Sequence, residues 1–351
     1  MAVFFQAWTE LAPNAALGGA FQLNDVAMRK LAATAVVNSV SPSAAPELIA
    51  YLTEHPDKDL LSECKNKFLD PLITSWSSLD PEAAANFMDS LGDTKNSLKS
   101  TARENIAYNW GTLDPDAALE WVRKQGDKDY IDSDPLYDDV IRGWCRANLP
   151  EASAYVAQHL DDRNGPAAAS SVAAAMFAHD PDQATSWMSN MPNGQPKSDA
   201  ETAIAQIWTE KDPTAASRWM ATLPVNEQSN VVDTITRTWM DNNWPEASRW
   251  INNLTGDVRD SALAAAMGRQ DATEADSLSL AVSIQSDEMR NDRIEGVVRN
   301  WSYRDSDAAE AWVKNSLLSP EEQKHLLSMI AEMRKNMTEA NAERVITTDQ
   351  Q

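Results

Sequence analysis

The sequence lacks the short motifs that mark most enzymes and metal-binding proteins. Its 351 residues include only two cysteines and four histidines, and no two histidines lie close enough to share one helix face, as a helical zinc site requires. Gly-x-Ser-x-Gly and Gly-x4-Gly-Lys are also missing, so neither a nucleophile elbow nor a phosphate-binding loop is indicated. We therefore expect no enzyme activity, no catalytic residue, no metal and no cofactor.

Long apolar runs, strand-like alternation and positive charge are scarce as well. No apolar stretch approaches the eighteen residues of a membrane-spanning helix, so we predict no membrane insertion. The formal net charge is −23 and the pI is near 4.5, which opposes binding to nucleic acid or anionic lipid because both need a basic surface. A solubilising surface and an affinity for basic partners are both compatible with this charge.

The amino-terminal residues predict no secretory leader. Met1 to Glu10 have no basic region before the first apolar residues and include an acid, unlike a signal peptide. The chain nevertheless opens inside a predicted helix, which is compatible with a missing upstream segment. We expect a soluble protein and leave its compartment open between cytoplasm and periplasm.

One twelve-residue pattern organises the chain, and its clearest copy runs from Trp110 to Trp121. Asp114 and Pro115 lie between these tryptophans, and two alanines follow the proline. Asp114 is a favoured helix N-cap because its carboxylate accepts hydrogen bonds from amides of the first turn. Proline is favoured at the first helical position, where its missing amide hydrogen costs nothing. The pattern predicts two helices joined by a turn of three or four residues.

The same spacing recurs along most of the sequence. We define the first and second anchors of each copy as two residues eleven places apart, with a helix start between them. The ten pairs are Trp8/Gly19, Val37/Leu48, Trp76/Phe87, Trp110/Trp121, Trp144/Tyr155, Met176/Trp187, Trp208/Trp219, Trp239/Trp250, Met267/Leu278 and Trp301/Trp312. In the Trp144 and Trp239 copies the proline comes one place later, at Pro150 and Pro245.

Successive first anchors are 28 to 39 residues apart, the period of helical-repeat proteins. We therefore predict an all-α fold, an α-solenoid in which about ten antiparallel helical hairpins form a right-handed superhelix. Twelve of the thirteen tryptophans occupy anchors, and only Trp244 does not. This regular placement favours packing between helices over a surface for stacking sugars or nucleotides.

The copies also suggest how the chain is divided. Residues 1–60 hold two degenerate amino-terminal copies, and residues 61–318 hold the continuous helical-hairpin repeats. Ser319 precedes a proline and two glutamates, an order typical of a helix N-terminus. We predict a capping helix over residues 319–335 and a polar tail over 336–351.

The pattern resembles a known superfamily in part. Paired helices with Asp-x3-Ala at the start of the second helix, as in Asp114/Ala118 and Asp212/Ala216, resemble tetratricopeptide and Sel1-like helical-hairpin repeats. The first-helix glycine and tyrosine of those repeats are missing here. Tandem Trp-x3-Asp-Pro-x-Ala-Ala-x2-Trp units are also similar to bacterial repeat proteins of unassigned function. The resemblance implies binding of a protein or peptide in a concave groove and implies no chemistry.

Charged and polar residues recur at two fixed places before the first anchors. Two places before it stand Tyr108, Arg142, Gln206, Arg237 and Arg299, and six places before it stand Glu104, Asp138, Asp233 and Glu295. Residues four apart share a helix face, so the spacing predicts the pairs Asp138–Arg142, Asp233–Arg237 and Glu295–Arg299. Such pairs are either ordinary exposed pairs or a charged ladder for a partner. We take the first five residues as candidate binding residues.

The acidic loop that contains Asp127, Asp129, Asp132 and Asp134 is a weaker candidate, for calcium. Its spacing does not match the EF-hand loop, and a solvated loop is the expectation. The sequence thus favours a non-enzymatic scaffold that binds a protein or peptide. Three alternatives stay open: a helical glycan-processing enzyme, a structural or envelope spacer, and an acidic mimic of nucleic acid.

Overall fold

The computed structural model describes the backbone of residues 1–54, 58–90, 97–125 and 135–348, and the side chains of residues 1–52, 68–90, 101–124 and 135–338. All regular elements in these ranges are α-helices, which confirms the all-α prediction. None of the helices described there is both long enough and apolar enough to span a bilayer. The acidic loop considered for calcium lies outside the described residues.

The chain forms two compact units, Met1–Ala203 and Ile204–Gln351. The helices of the first unit are α1 (Ala2–Leu11), α2 (Pro13–Phe21), α3 (Val26–Ser39), α4 (Ala45–Glu54), α5 (Lys58–Ser77), α6 (Pro81–Ser90), α7 (Ser97–Leu113), α8 (Pro115–Gln125), α9 (Pro135–Gln158), α10 (Gly165–His179) and α11 (Pro181–Ser189). Helix α12 (Gln195–Lys211) contains the boundary between the units.

The second unit contains the remaining helices. They are α13 (Pro213–Met220), α14 (Val225–Asn253), α15 (Gly256–Ala266), α16 (Glu274–Val282), α17 (Asp287–Arg304), α18 (Ser306–Asn315) and α19 (Pro320–Thr348). Helix α19 continues past residue 335, the end predicted for the capping helix. Its inner face, with Leu326 and Ile330, packs on Val298 and Val313 in the core of this unit.

Helices of the first unit contact their near neighbours in chain order. Helices α1, α3, α5, α7 and α9 contact one another in succession, and α1, α5 and α7 each also contact the even-numbered helix that follows. Contacts therefore join elements one or two places apart in the chain, as local packing of helix pairs requires.

At three of the copies a single aspartate with non-helical backbone separates the two helices. Asp180, Asp212 and Asp305 have φ between −150° and −153°, and each N–H donates to the carbonyl of the first anchor four places earlier at 2.7–2.8 Å. The side chain of each then accepts from backbone amides of the following helix at 2.9–3.2 Å. We call the two anchors and this break residue a joint.

Two joints lie within the residue range of one helix each, α9 and α14. Helices α9 and α14 are broken at Asn148 (φ −152°, ψ 79°) and Asn243 (φ −157°, ψ 81°), four places after Trp144 and Trp239. Each asparagine Oδ1 accepts from the backbone amide three places later at 3.3 Å. Asparagine thus replaces aspartate at the same position of the joint, although the proline is shifted by one.

Two glycines allow the backbones of α7 and α9 to approach closely. A Cβ added to Gly143 would overlap the carbonyl oxygen of Tyr108, and one added to Gly111 would overlap that of Val140. The contact is reciprocal, because each glycine faces the backbone of the other helix. Any larger residue at either place would push the two helices apart.

Candidate functional site

The anchor side chains are part of the packing between helices. Ring centroids of the tryptophan pairs 110/121, 208/219 and 239/250 lie 5.7, 5.7 and 5.3 Å apart. Where the second anchor is Gly19, the ring of Trp8 fills the space and lies 2.6 Å from the position of a Cβ. Five tryptophans are buried and the other eight are half-buried, which agrees with the prediction that they pack between helices.

The tryptophan outside the anchors has a different environment. Arg269 lies over the ring of Trp244, with its guanidinium carbon 4.4 Å from the ring centroid. A cation over an indole face is attracted by the electrons of the ring. This contact joins α14 to the segment after α15, and the repeat pattern alone did not indicate it.

The predicted pair on α9 is part of a larger cluster. Arg142 Nε lies 3.6 Å from Asp138 Oδ2, and its Nη2 donates to Asp139. Ser171 of α10 donates to Asp138 at 2.5 Å. Asp139 is only 4% exposed, so Arg142 is the counter-charge of a buried carboxylate as well as the partner of an accessible one.

Burial dominates the electrostatics of this cluster. It raises the pKa of Asp139 to about 6, although Arg142 acts in the opposite direction. Burial also raises the pKa of Asp138, against the hydrogen bond from Ser171. The pKa of Asp70, on α5, is raised by burial and by the charge of Glu104. Carboxylates at the place six before the first anchor thus form a partly buried acidic row.

The acids of the two predicted pairs in the second unit have side chains 44% and 33% exposed, in contrast to the buried Asp139. Arg237 donates to both carboxylate oxygens of Asp233, at 2.8 and 3.2 Å, and Arg299 Nη2 donates to Glu295. The arginine side chains are 53% and 52% exposed. The spacing therefore predicted all three ion pairs, and the binding role of their arginines stays a prediction.

Tyr108 and Gln206 make polar contacts of their own. The Tyr108 hydroxyl accepts a hydrogen bond from Arg146 at 3.3 Å, and both residues line a cavity of about 390 Å³ that Asn109 and Thr112 also border. Gln206, which is exposed, donates to Glu210 at 3.3 Å. Tyr108 and Arg142 belong to the first unit, on the contacting helices α7 and α9, and Gln206, Arg237 and Arg299 belong to the second.

A cavity of about 350 Å³ lies between α17 and α19 in the second unit. Its lining consists of Asn291, Ile294, Glu295, Leu318, Glu321, Glu322, His325 and Leu326. His325 Nε2 is 3.1 Å from Glu295 Oε2, across the two helices. Glu295 therefore belongs both to a predicted ion pair and to this cavity, which we call the acidic cavity.

Sequence reasoning missed several of these residues. Asp139 is adjacent to the predicted Asp138 but does not fit the four-residue spacing, and only its burial reveals its role. His325 is 30 positions from Glu295, so their contact depends on how α19 packs against α17. Among the described residues, no group of three or more histidine, cysteine or acidic side chains could hold a metal ion.

Comparison with known proteins gives no match. No family model, no curated protein and no solved structure is significantly similar to this chain.

Proposed function

We propose that this protein is a non-enzymatic scaffold that binds a protein or peptide segment through the charged rows before its first anchors. We also propose that its joints stack as an α-solenoid of about ten hairpins, with these rows on the concave face, in the cytoplasm or periplasm. The resemblance to tetratricopeptide and Sel1-like repeats supports the architecture.

The observation that carries the proposal is the recurrence of an acid–base pair at the same two positions in both units. The pairs are Asp138–Arg142, Asp233–Arg237 and Glu295–Arg299. The two exposed pairs of the second unit stabilise a helix by only about 0.3–0.5 kcal/mol each. Their regular placement therefore contributes little to folding, and it offers arginines beside carboxylates at fixed intervals to a partner segment that carries acidic and basic groups in the complementary order.

The test uses the pairs of the second unit. The double variant Arg237→Glu with Arg299→Glu changes two exposed side chains, whereas replacing Arg142 would leave the buried Asp139 without a counter-charge. We expect the double variant to capture less partner from a native lysate at low salt, with an unchanged melting temperature. Mass spectrometry of the captured proteins measures this.

The matched control is Arg249→Glu with Lys314→Glu, which makes the same charge change. Arg249 and Lys314 pair with Glu246 and Glu310 within the second helices of their joints. The control should capture partner as the wild type does. Equal capture by the double variant and the wild type would remove the charged rows from the binding surface.

A glycan-processing enzyme is the second candidate, and the raised pKa of Asp139 is the observation in its favour. A carboxyl whose pKa is raised toward neutrality suits a general acid in glycoside hydrolysis. Here, however, Asp139 accepts a hydrogen bond from Arg142, which favours the ionised form. Release of reducing sugars from bacterial glycans, lost in Asp139→Asn, would favour the enzyme instead.

A further inference from the structure

The acidic cavity has an apolar floor. Ile294 and Leu326 are 2% and 4% exposed and belong to the core of the second unit. Leu318 is half-buried beside them. The volume of about 350 Å³ lies within the usual range for sites that hold small ligands or single side chains. The floor can therefore accept a methylene chain.

The rim of the cavity carries carboxylates that are already held in place. Glu322 accepts from the backbone N–H of Ser319 at 2.7 Å, and Ser319 Oγ accepts from the N–H of Glu322 at 3.2 Å. This reciprocal cap at the start of α19 lowers the pKa of Glu322, so its carboxylate is ionised at neutral pH. On α17, Glu295 accepts from Arg299 and contacts His325.

The charge of the rim selects among ligands. The described lining contains three glutamates and one histidine, and neither lysine nor arginine. Arg299 pairs with Glu295 from outside the lining, which leaves Glu321 and Glu322 as the carboxylates of the rim without an arginine hydrogen bond in the described contacts. An anionic group would be repelled at this rim. A purely apolar group would cover carboxylates without replacing their water. A long cationic side chain satisfies both surfaces, because its stem can lie on the floor while its head reaches the carboxylates.

We propose that the acidic cavity is a subsite for a lysine or arginine side chain of a bound protein segment. The proposal rests on the function proposed above and names the chemistry that one part of the surface recognises. Glu295 and Glu322 orient the cationic head, and Glu321, exposed at the rim, adds a third negative charge. Ile294, Leu318 and Leu326 hold the stem.

The experiment follows the methyl groups of Ile294 and Leu326 by NMR in the full chain. The probes are Nα-acetyl-lysine methylamide, the matching glutamate compound, and the neutral norleucine compound. We expect the lysine probe to shift these methyl signals, with a dissociation constant in the range of about 1–10 mM. The norleucine probe should bind at least about fivefold more weakly, since it lacks the attraction of one charge at close range.

Two glutamate substitutions show whether the lysine probe binds at the rim of the cavity or is attracted by the negative charge of the whole protein. Glu321→Gln should weaken binding of the lysine probe about fivefold. Glu332→Gln, on the exposed face of the same helix and outside the lining, should leave the affinity unchanged. Absence of methyl shifts with about 10 mM lysine probe, or equal shifts with the glutamate probe, would overturn the subsite.

The two proposals fail in different ways. If the lysine probe does not bind but partner capture still depends on Arg237 and Arg299, the scaffold stands and the subsite does not. If the probe binds in the cavity but the double variant captures as much partner as the wild type, the subsite is supported and the role of the charged rows is not.

Discussion

Asp139 is an almost fully buried carboxylate with one cationic partner, Arg142. Burial raises its pKa to about 6, whereas an aspartate in an unfolded chain titrates near about 3.9. Between these values the folded chain holds a proton that the unfolded chain has released. Acidification through this window therefore stabilises the fold, and a rise in pH through it removes that stabilisation.

We predict that Asp139→Asn reduces this pH dependence. As pH falls from about 7 to about 4, the free energy of unfolding of the wild type should rise relative to the variant by about 1–2 kcal/mol. Urea denaturation at a series of pH values measures the difference. Asp161→Asn, at an exposed position, is the control, and its free energy of unfolding should change with pH as that of the wild type does. Parallel curves for Asp139→Asn would contradict the raised pKa.

For individual residues, the sequence predicted ion pairs between positions four apart in one helix. It did not predict interactions that depend on which side chain is buried. Arg142 was expected to pair with Asp138, four places earlier, and it does. Its stronger interaction with Asp139 could not be predicted, because spacing along a helix does not indicate which of two adjacent carboxylates faces the neighbouring helix.

The joints are the elements that the sequence predicted best. Aspartate caps such as Asp212 act as expected, with a hydrogen bond of 2.9 Å from the amide of Ala215. In two copies the proline comes one place later, at Pro150 and Pro245. The breaks at Asn148 and Asn243 show that the position of the capping side chain, not that of the proline, determines where the first helix ends.

The close approach of α7 and α9 leads to a prediction for Gly143. Gly143→Ala should lower the free energy of unfolding by about 1–3 kcal/mol, because the new methyl group overlaps backbone atoms that cannot move freely. Chemical denaturation measures the loss. The sequence showed these glycines but not their function, since a glycine inside a helix has no distinctive spacing.

Gly296 provides the matched control. It lies inside α17, and a Cβ added there meets nothing within 4 Å. Gly296→Ala should stabilise the protein by about 0.4–1 kcal/mol, since alanine restricts the unfolded chain and favours helix. A similar effect of both substitutions would show that helix propensity, and not the contact between α7 and α9, decides the outcome at Gly143.

The net charge of −23 is a property of the whole molecule and predicts a salt effect. Carboxylates outnumber cationic groups, so their mutual repulsion destabilises the compact state. Raising ionic strength to about 0.15 M shortens the screening length to about 8 Å, and we expect the melting temperature to rise. Circular dichroism during heating measures the shift.

The control compares the melting temperatures at low and raised ionic strength again, near pH 4.5. At this pH, close to the sequence pI of about 4.5, the net charge is small and salt should change the melting temperature little. A fall in melting temperature with salt at neutral pH would instead indicate that the ion pairs outweigh the repulsion.

For the whole molecule, the sequence predicted helices and their order but not the cavities. The anchor spacing recurs from Trp8 to Trp312 and predicts helix starts along the chain, although in the Met267 copy residues 267–273, and not one residue, separate the two helices. The acidic cavity requires α17 and α19 to be placed side by side, with α18 between them in the chain. Neither its floor nor its rim has a signature within one stretch of sequence.

The paired indoles give the protein a built-in optical reporter. The ring centroids of these pairs are 5.3–5.7 Å apart and the ring planes are inclined by 25–35° to each other. Neighbouring chromophores in this arrangement couple electronically. We expect each coupled pair to contribute a circular-dichroism couplet that vanishes when the rings separate. Replacing one indole at a time would therefore assign the signal to individual joints. Following each signal during heating would show the order in which the joints unfold.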